Sequence, residues 1–587
     1  MGEYYPNLSK NNSQSNQKMN KKRIDIIFER IPPLLSWILI TMPIWGGLLI
    51  PEITAYIVIF FNIYFLYKSI SITFYIFISY INIRKTETID WLKKLQELDN
   101  LDKEIFNFEN KIENLRNETF NQEDAVLTAK DKLNNTISKR LPYLLKNIVY
   151  SFSKNKTINF FSAELKILNK FKSNPPFIDW NEIQHIIMIP HMKEPMHVLD
   201  DTIMRLKEMN YPTKKISIVL ASEAVDPEGL KVSQMLKNKY KEFFNQIWIT
   251  SHVLMQGELI GKSSNMAFAS KEIYNYVKEL GWDLKKVTIT SCDADSQLPI
   301  NYLANITYNF IIDADSQYRF YTAAVLLYAN IWELPFFARV KNSMSTIYNV
   351  AKLARTDKLV PFSTYTTSFW LIKEIGFWSS DIIPEDFHTF SKALFMYPHK
   401  VHTVAIFLKV MVDAAEGTGN LDTLKNNYFQ ERRWAWGISD DGWLLKNILK
   451  SFLGRQDFSI RSIYIASHIV FDHIAGVGIA LMVALGGYIP LLINRRFANT
   501  IFGFNLPIVS SLIINITFFF FIIMIIMDSF LKPSQKGKIT LVKRFIYMLE
   551  WIVQPLTGIL MVALPGFEAH TRLLFGKYLE YYLTKKK

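Results

Sequence analysis

The chain has 587 residues, 49% hydrophobic and 14% aromatic, with a formal net charge of +14; this is enough apolar material for a large core and membrane spans together. A single cysteine, Cys292, excludes an internal disulfide and is compatible with a reduced, cytosolic face. No nucleic-acid module is recognisable, so the positive charge is read as attraction to anionic lipid, and no nucleic-acid partner is expected.

Residues 1–33 are expected to form a cytosolic tail, disordered over 1–20. Gly2 is not a myristoylation signal, because position 6 is proline. Two apolar stretches, 34–50 and 53–81, are separated by Pro51-Glu52, and each can cross a hydrocarbon core of about 30 Å. They lie too late, and are together too long, for a cleaved signal peptide. Lys21-Lys22-Arg23 precedes the first and Arg84-Lys85 follows the second. Positive residues mark cytosolic sides, so 34–81 reads as a transmembrane hairpin with both ends inside. Residues 82–180 are charged and Asn-rich, with a helical run from Trp91 to Asn117; they are expected to be a cytosolic helical linker.

A different pattern begins near residue 181. Ile186 to Pro190 is a short apolar strand leading through His191, Met192, Lys193 and Glu194 into a helix near Val198. A second strand, Ile216 to Ala221, ends at Ser222 and Glu223, and Gly261-Lys262-Ser263-Ser264-Asn265 precedes another helix. Strands alternating with helices predict an α/β, Rossmann-like and mostly parallel sheet whose ligands bind beyond the carboxyl ends of the strands. Glu194, Glu223, Lys262, Asp293 and Asp295 are all placed at such ends.

The β-branched run Val287 to Cys292 ends in Asp293-Ala294-Asp295-Ser296, a buried strand opening into two carboxylates at i and i+2. A divalent ion held by one or two carboxylates neutralises a nucleoside diphosphate. Asp295 is expected to face that ion, Mg or Mn, and Asp293 the ribose or the metal. Asp313-Ala314-Asp315-Ser316 repeats the same letters after a run of helical spacing, and is expected to be a helix-end loop without a catalytic role.

Downstream come Pro384-Glu385-Asp386-Phe387-His388 and Gln430-Glu431-Arg432-Arg433-Trp434. One carboxylate can take a proton from an acceptor hydroxyl while cations stabilise the leaving group. Arg presents a fork that matches phosphate oxygens, and Trp434 offers a flat apolar face for a sugar ring. The ten histidines show no zinc-ligand spacing, although His388 stands next to the acid pair. No nucleophile elbow and no phosphate-binding Gly-rich loop with its Lys occurs, which disfavours hydrolase and ATPase readings. Apolar segments return near 464–493, 505–530 and 545–565, with Lys-rich stretches at Lys532–Arg544 and Lys577–Lys587 that should be cytosolic. Three full spans break that parity. Either the last segment, carrying Glu550, Gln554, Pro555 and Pro565, is interfacial or re-entrant, or one of the others is not a full span; four spans and one irregular segment are expected.

The order of an acidic residue after the second strand, Asp-x-Asp, Glu-Asp and Gln-x-x-Arg-Trp resembles glycosyltransferase family 2, in the membrane-integrated branch that includes cellulose and hyaluronan synthases. The resemblance covers roughly residues 182–455 plus the flanking membrane helices, with a departure at Glu223, where the family usually has the aspartate that contacts the nucleotide base; Asp226 stands close by to share that contact. It implies a GT-A catalytic domain over 181–455 facing the cytosol, and a C-terminal membrane domain over 456–587 in the cell membrane. It also implies inverting, metal-dependent transfer from a nucleotide sugar such as a UDP-sugar. Asp295, with Asp293, would then be the metal ligand, and Asp386, paired with Glu385, the general base. Pro190, Glu194, Glu223, Lys262 and Asp293 would bind the donor; Gln430, Arg433 and Trp434 would form the acceptor and diphosphate platform. A growing glycan is the expected acceptor. Transfer of one sugar to a lipid-linked acceptor, and a non-catalytic membrane scaffold, stay open as alternatives.

Overall fold

The structure, a computed structural model, describes residues 22–117, 162, 164–173, 178–535 and 541–579. The expected disorder of residues 1–20, much of the 82–180 linker, and the tail beyond Leu579 lie outside the described residues.

The chain divides into two compact units. The smaller comprises Asp90–Glu182 with Thr307–Ala314. It is helical where the sequence spacing predicts a helix, but the run breaks into Trp91–Leu98 and Leu101–Asn117. Asp90 caps the first by accepting from Lys93 N at 3.1 Å. Ile105, Phe108 and Leu168 form its small core, with Lys94 and Glu164 paired at 2.8 Å beside it.

In the larger unit a seven-stranded sheet has the order β3-β2-β1-β4-β6-β5-β7. The strands are β1 Gln184–His191, β2 Ile216–Glu223, β3 Gln246–His252, β4 Val287–Ser291, β5 Arg319–Leu326, β6 Tyr365–Ser368 and β7 His402–Met411. β1 pairs in parallel with both β2 and β4, β2 with β3, and β5 with β7; β6 alone runs antiparallel to its neighbours. This is the mostly parallel α/β sheet expected. Helices cover both faces, so β2 and β4 are buried along their whole length, which is why their sequences read as continuous apolar and β-branched runs. Edge strands β3 and β7 are instead partly exposed. Consecutive connections run outward from β1 to β2 and β3, then jump back to β4. The crevice beyond the carboxyl ends of β1 and β4 is thus the topological switch point, where open α/β sheets bind ligands.

Among the described residues five helices are long and apolar enough to cross a membrane: Arg23–Leu49, Pro51–Glu87, Ile460–Leu485, Ile501–Leu531 and Phe545–Leu574. The first two are longer than the apolar stretches that announced them, because the helices continue into polar and charged sequence at Arg23–Arg30 and Asn82–Glu87. The fifth is irregular, passing from Leu541–Leu549 through a 3-10 turn, a short helix and a π-helical turn at Ile559–Ala563 before Leu564–Leu574. Two of its acids, Glu550 and Glu568, are engaged by the α/β region. Glu550 forms a two-pronged pair with Arg339 at 2.8 and 2.9 Å, and Glu568 binds Arg432 at 2.6 Å and Tyr428 at 2.9 Å.

Candidate active site

The crevice is lined by the loops that follow β1, β2 and β4 and by two helix starts. Gly261, at φ 146°, occupies a backbone region that side chains rarely adopt, and it sets Lys262 as the first residue of helix Lys262–Glu279. From there the Lys262 ammonium pairs with Asp293 at 2.7 Å and Glu385 at 2.9 Å. Burial opposes its charge, but the two carboxylates outweigh burial and hold its pKa well above the ordinary value.

Asp293, just past the end of β4, accepts from Ser363 Oγ at 2.6 Å, and the backbone N–H of the same Ser363 donates to Asp386 at 3.0 Å. Ser363 has φ 58°, a strained conformation for a residue with a side chain. That conformation lets one residue bridge two carboxylates. Asp386 lies in the first turn of helix Glu385–Met396 and also accepts from Phe387 N at 2.8 Å. Burial, then the neighbouring Glu385 charge, pushes its pKa up to about 6, against the lowering effect of Lys262 and the two N–H groups. The structure therefore gathers Lys262, Asp293, Glu385 and Asp386, which span more than a hundred residues of sequence, into one cluster.

Asp295 is buried and accepts from Asp413 N at 2.9 Å, beyond the end of β7. The loop around it is fixed by Ser296 and Thr364 at 2.6 Å and by Thr202 donating to Ala294 O at 2.7 Å. Among the described residues no group of three or more His, Cys, Asp or Glu could hold a metal ion. Of the two carboxylates on this turn, Asp293 is engaged by Lys262 and Ser363 and Asp295 by Asp413 N; an ion such as Mg²⁺ needs only one or two protein carboxylates and completes its shell with phosphate oxygens and water. The repeated motif is different in kind: Asp313 follows the helix Tyr302–Ile311 as a loop, and Asp315 sits 3.8 Å from Arg319.

Pro190 lies within β1, opposite Ala221. Glu194 accepts from Met192 N, closing its own loop, and Asp226 accepts from Lys193 N at 2.6 Å while capping the helix Pro227–Tyr240 through Gly229 N at 3.1 Å. Glu223 is buried against His252 at 3.0 Å, and the other ring nitrogen of His252 meets Glu258 at 3.0 Å. Burial disfavours charge on His252, but its two carboxylate partners raise its pKa. His388 is not beside the acid pair's carboxylates as a ligand; its Nδ1 is bound to Asp440 at 2.8 Å in the protein interior. Buried His185 and His191 are held neutral by burial, with pKa values lowered to about 3 and about 4.

Gln430, Arg433 and Trp434 share one face of helix Asn420–Ala435, since i, i+3 and i+4 fall together. Gln430 is buried, whereas Trp434 is 40% exposed. Lys341, fully buried, lies 4.3 Å from the Trp434 ring centroid and 3.0 Å from Glu431. Sequence reasoning missed Ser363, His252, Glu258 and Lys341. Ser363 and Lys341 carry no local spacing signal, because their partners lie far away in sequence.

No protein-family model matches this sequence, and no curated protein sequence matches it. Among solved structures, the chain is similar to the mannosyltransferase PcManGT from Pyrobaculum calidifontis, in complex with GDP-Man and Mn2+, with 12% identity over 63% of this chain and 93% of that one, at a TM-score of 0.36. It is also similar to S. aureus TarS 1-349 in complex with UDP-GlcNAc, with 10% identity over 57% and 90% of the two chains and a TM-score of 0.30. At these scores the likenesses carry nothing about this chain's chemistry, which rests on its own residues.

Proposed function

We propose that the chain is a membrane-embedded glycosyltransferase of the GT-A type that uses a nucleotide-sugar donor, with inversion at the anomeric carbon. The observation that carries this reading is the Ser363 bridge, which holds a carboxyl of pKa about 6 one residue away from Asp293 at the switch-point crevice. In that reading Asp386 takes the proton of the acceptor hydroxyl as its oxygen bonds to the anomeric carbon. The bond from that carbon to the diphosphate breaks, and the departing oxygen keeps the electron pair. Asp295, with Asp293, would hold a divalent ion, whose chemistry is to neutralise the diphosphate. Lys262 supplies a fixed positive charge beside it, and Glu385 keeps Lys262 in place.

The partly exposed Trp434 ring suits a sugar acceptor, and its position on a helix that packs against the fifth apolar helix favours a growing glycan passing towards the membrane. Cytosolic placement of the α/β region in a multi-pass cell-membrane protein is supported by the Lys and Arg residues that flank the first two spans. The test is to incubate the detergent-solubilised protein with a panel of radiolabelled nucleotide sugars and size the products. Long products in excess acceptor support polymer synthesis; addition of a single sugar to a lipid or small acceptor would replace it with the glycolipid reading; absence of turnover with every donor would leave the scaffold reading.

A further inference from the structure

Away from the crevice, β7 and the start of helix Ile460–Leu485 border a cleft of about 1020 Å³ whose wall includes Arg319, His402, Arg461 and Tyr464. Arg319 and His402 are paired positions on adjacent strands. The two guanidiniums are drawn side by side, because Arg319 donates to Lys400 O and Arg461 donates to the next carbonyl, Val401 O, at 2.7 Å. Of the carboxylates nearby, Asp315 stands 3.8 Å from Arg319, and Asp357, on the cleft wall, is bound to Arg355 at 2.9 and 2.8 Å. Two adjacent cations backed by the apolar side chains of Val404, Ala405 and Phe407 call for an anion with an apolar continuation.

The depth of the cleft says which anion. Arg355 lies 4.9 Å from the ring of Tyr75, and Tyr464 reaches Asp357 at 3.4 Å. Tyr75 lies between Phe74 and Phe77, which are 59% and 55% exposed on the second apolar helix, while the sequence turns cationic at Arg84-Lys85. On the third apolar helix Arg461 is 24 residues from Leu485, about 36 Å at 1.5 Å per residue, just beyond a hydrocarbon core of about 30 Å. Exposed tyrosine at Tyr464 completes the composition of a membrane interface.

We propose that this cleft binds the phosphate of an anionic phospholipid from the leaflet on the α/β side, with Arg319 and Arg461 gripping the phosphate, His402 beside them, and an acyl chain along the apolar wall. The test uses the full-length protein stripped of lipid in detergent and titrated with dioleoylphosphatidylglycerol or dioleoylphosphatidylcholine, with bound lipid counted by native mass spectrometry. Saturable phosphatidylglycerol binding is expected, weakened about tenfold by Arg461→Gln, a loss of roughly 1.4 kcal/mol. Gln keeps a donor for Val401 O; should that variant unfold, His402→Glu, which places a negative charge in the cleft, is expected to weaken binding similarly. Equal retention of the two lipids, undiminished binding in a folded variant, or displacement of the lipid by 10 mM inorganic phosphate would overturn the proposal. So would a lipid-independent dimer abolished by the same substitutions, which would make the open β7 edge a protein contact.

Discussion

Lys262 stands between Asp293 and Glu385, and its charge reaches Asp386 a residue further on, so the protonation of the crevice is set by a few neighbours. In the proposed role of general base, Asp386 would act only when ionised. Activity should therefore rise with pH through a limb near 6. Glu385→Gln removes the like charge that raises Asp386, and should shift the limb to lower pH; Lys262→Met removes the opposing charge, and should shift it higher. A pH–rate profile of kcat/KM checks both signs, and a limb unmoved by either would dissociate Asp386 from it. Asp295→Asn should abolish turnover, whereas Asp315→Asn, in the repeated motif, should stay within about twofold of wild type, as for an ordinary surface change. Equal losses in the two, measured as donor hydrolysis, would remove the distinction between the motifs.

At the scale of elements, helix Asn420–Ala435 is positioned by a buried cation. Lys341 on helix Phe336–Leu353 has no exposed side chain and is compensated by Glu431. Breaking a buried pair typically costs about 3–5 kcal/mol when the other charge stays behind. Lys341→Met should therefore lower the apparent Tm, and adding Glu431→Gln should recover part of the loss; simple additivity in the thermal melts would show the pair to be uncoupled. Legibility follows the same division between local and distant causes. The β1, β2 and β4 strands are readable because burial on both faces makes them continuous apolar runs, and so is the placement of Asp293 and Asp295 after a strand and Asp386 at a helix start, because element ends are local patterns. The irregularity of the fifth apolar helix was readable from Glu550, Gln554 and its prolines. By contrast the insertion of antiparallel β6 between β4 and β5, the Ser363 bridge and the Glu223–His252–Glu258 chain are made by pairing over long sequence separations, which no local spacing encodes. Glu194 and His388 were legible as polar residues near strand or helix ends, yet the fold spends them on Met192 N and Asp440.

For the whole molecule, the first, second and third apolar helices pack together, with Lys68 and Asp472 paired at 2.8 Å between the second and third. With the α/β region cytosolic, the loop after the third helix must lie on the opposite side of the membrane. Cys292 is buried and should be silent to thiol reagents, so single introduced thiols report sidedness directly. Asn499→Cys should be labelled by a membrane-impermeant maleimide in intact cells and Lys278→Cys only after permeabilisation. The reverse pattern would invert the topology and put the crevice out of reach of cytosolic nucleotide sugars.

The claim that Asp386 is the base for sugar transfer in the crevice is decided by comparing wild type with Asp386→Asn for turnover of the preferred nucleotide sugar, with donor affinity followed in the same samples. General-base removal should lower the rate about 10²–10⁴-fold while donor binding changes little. Unchanged turnover in a folded Asp386→Asn protein would contradict the claim.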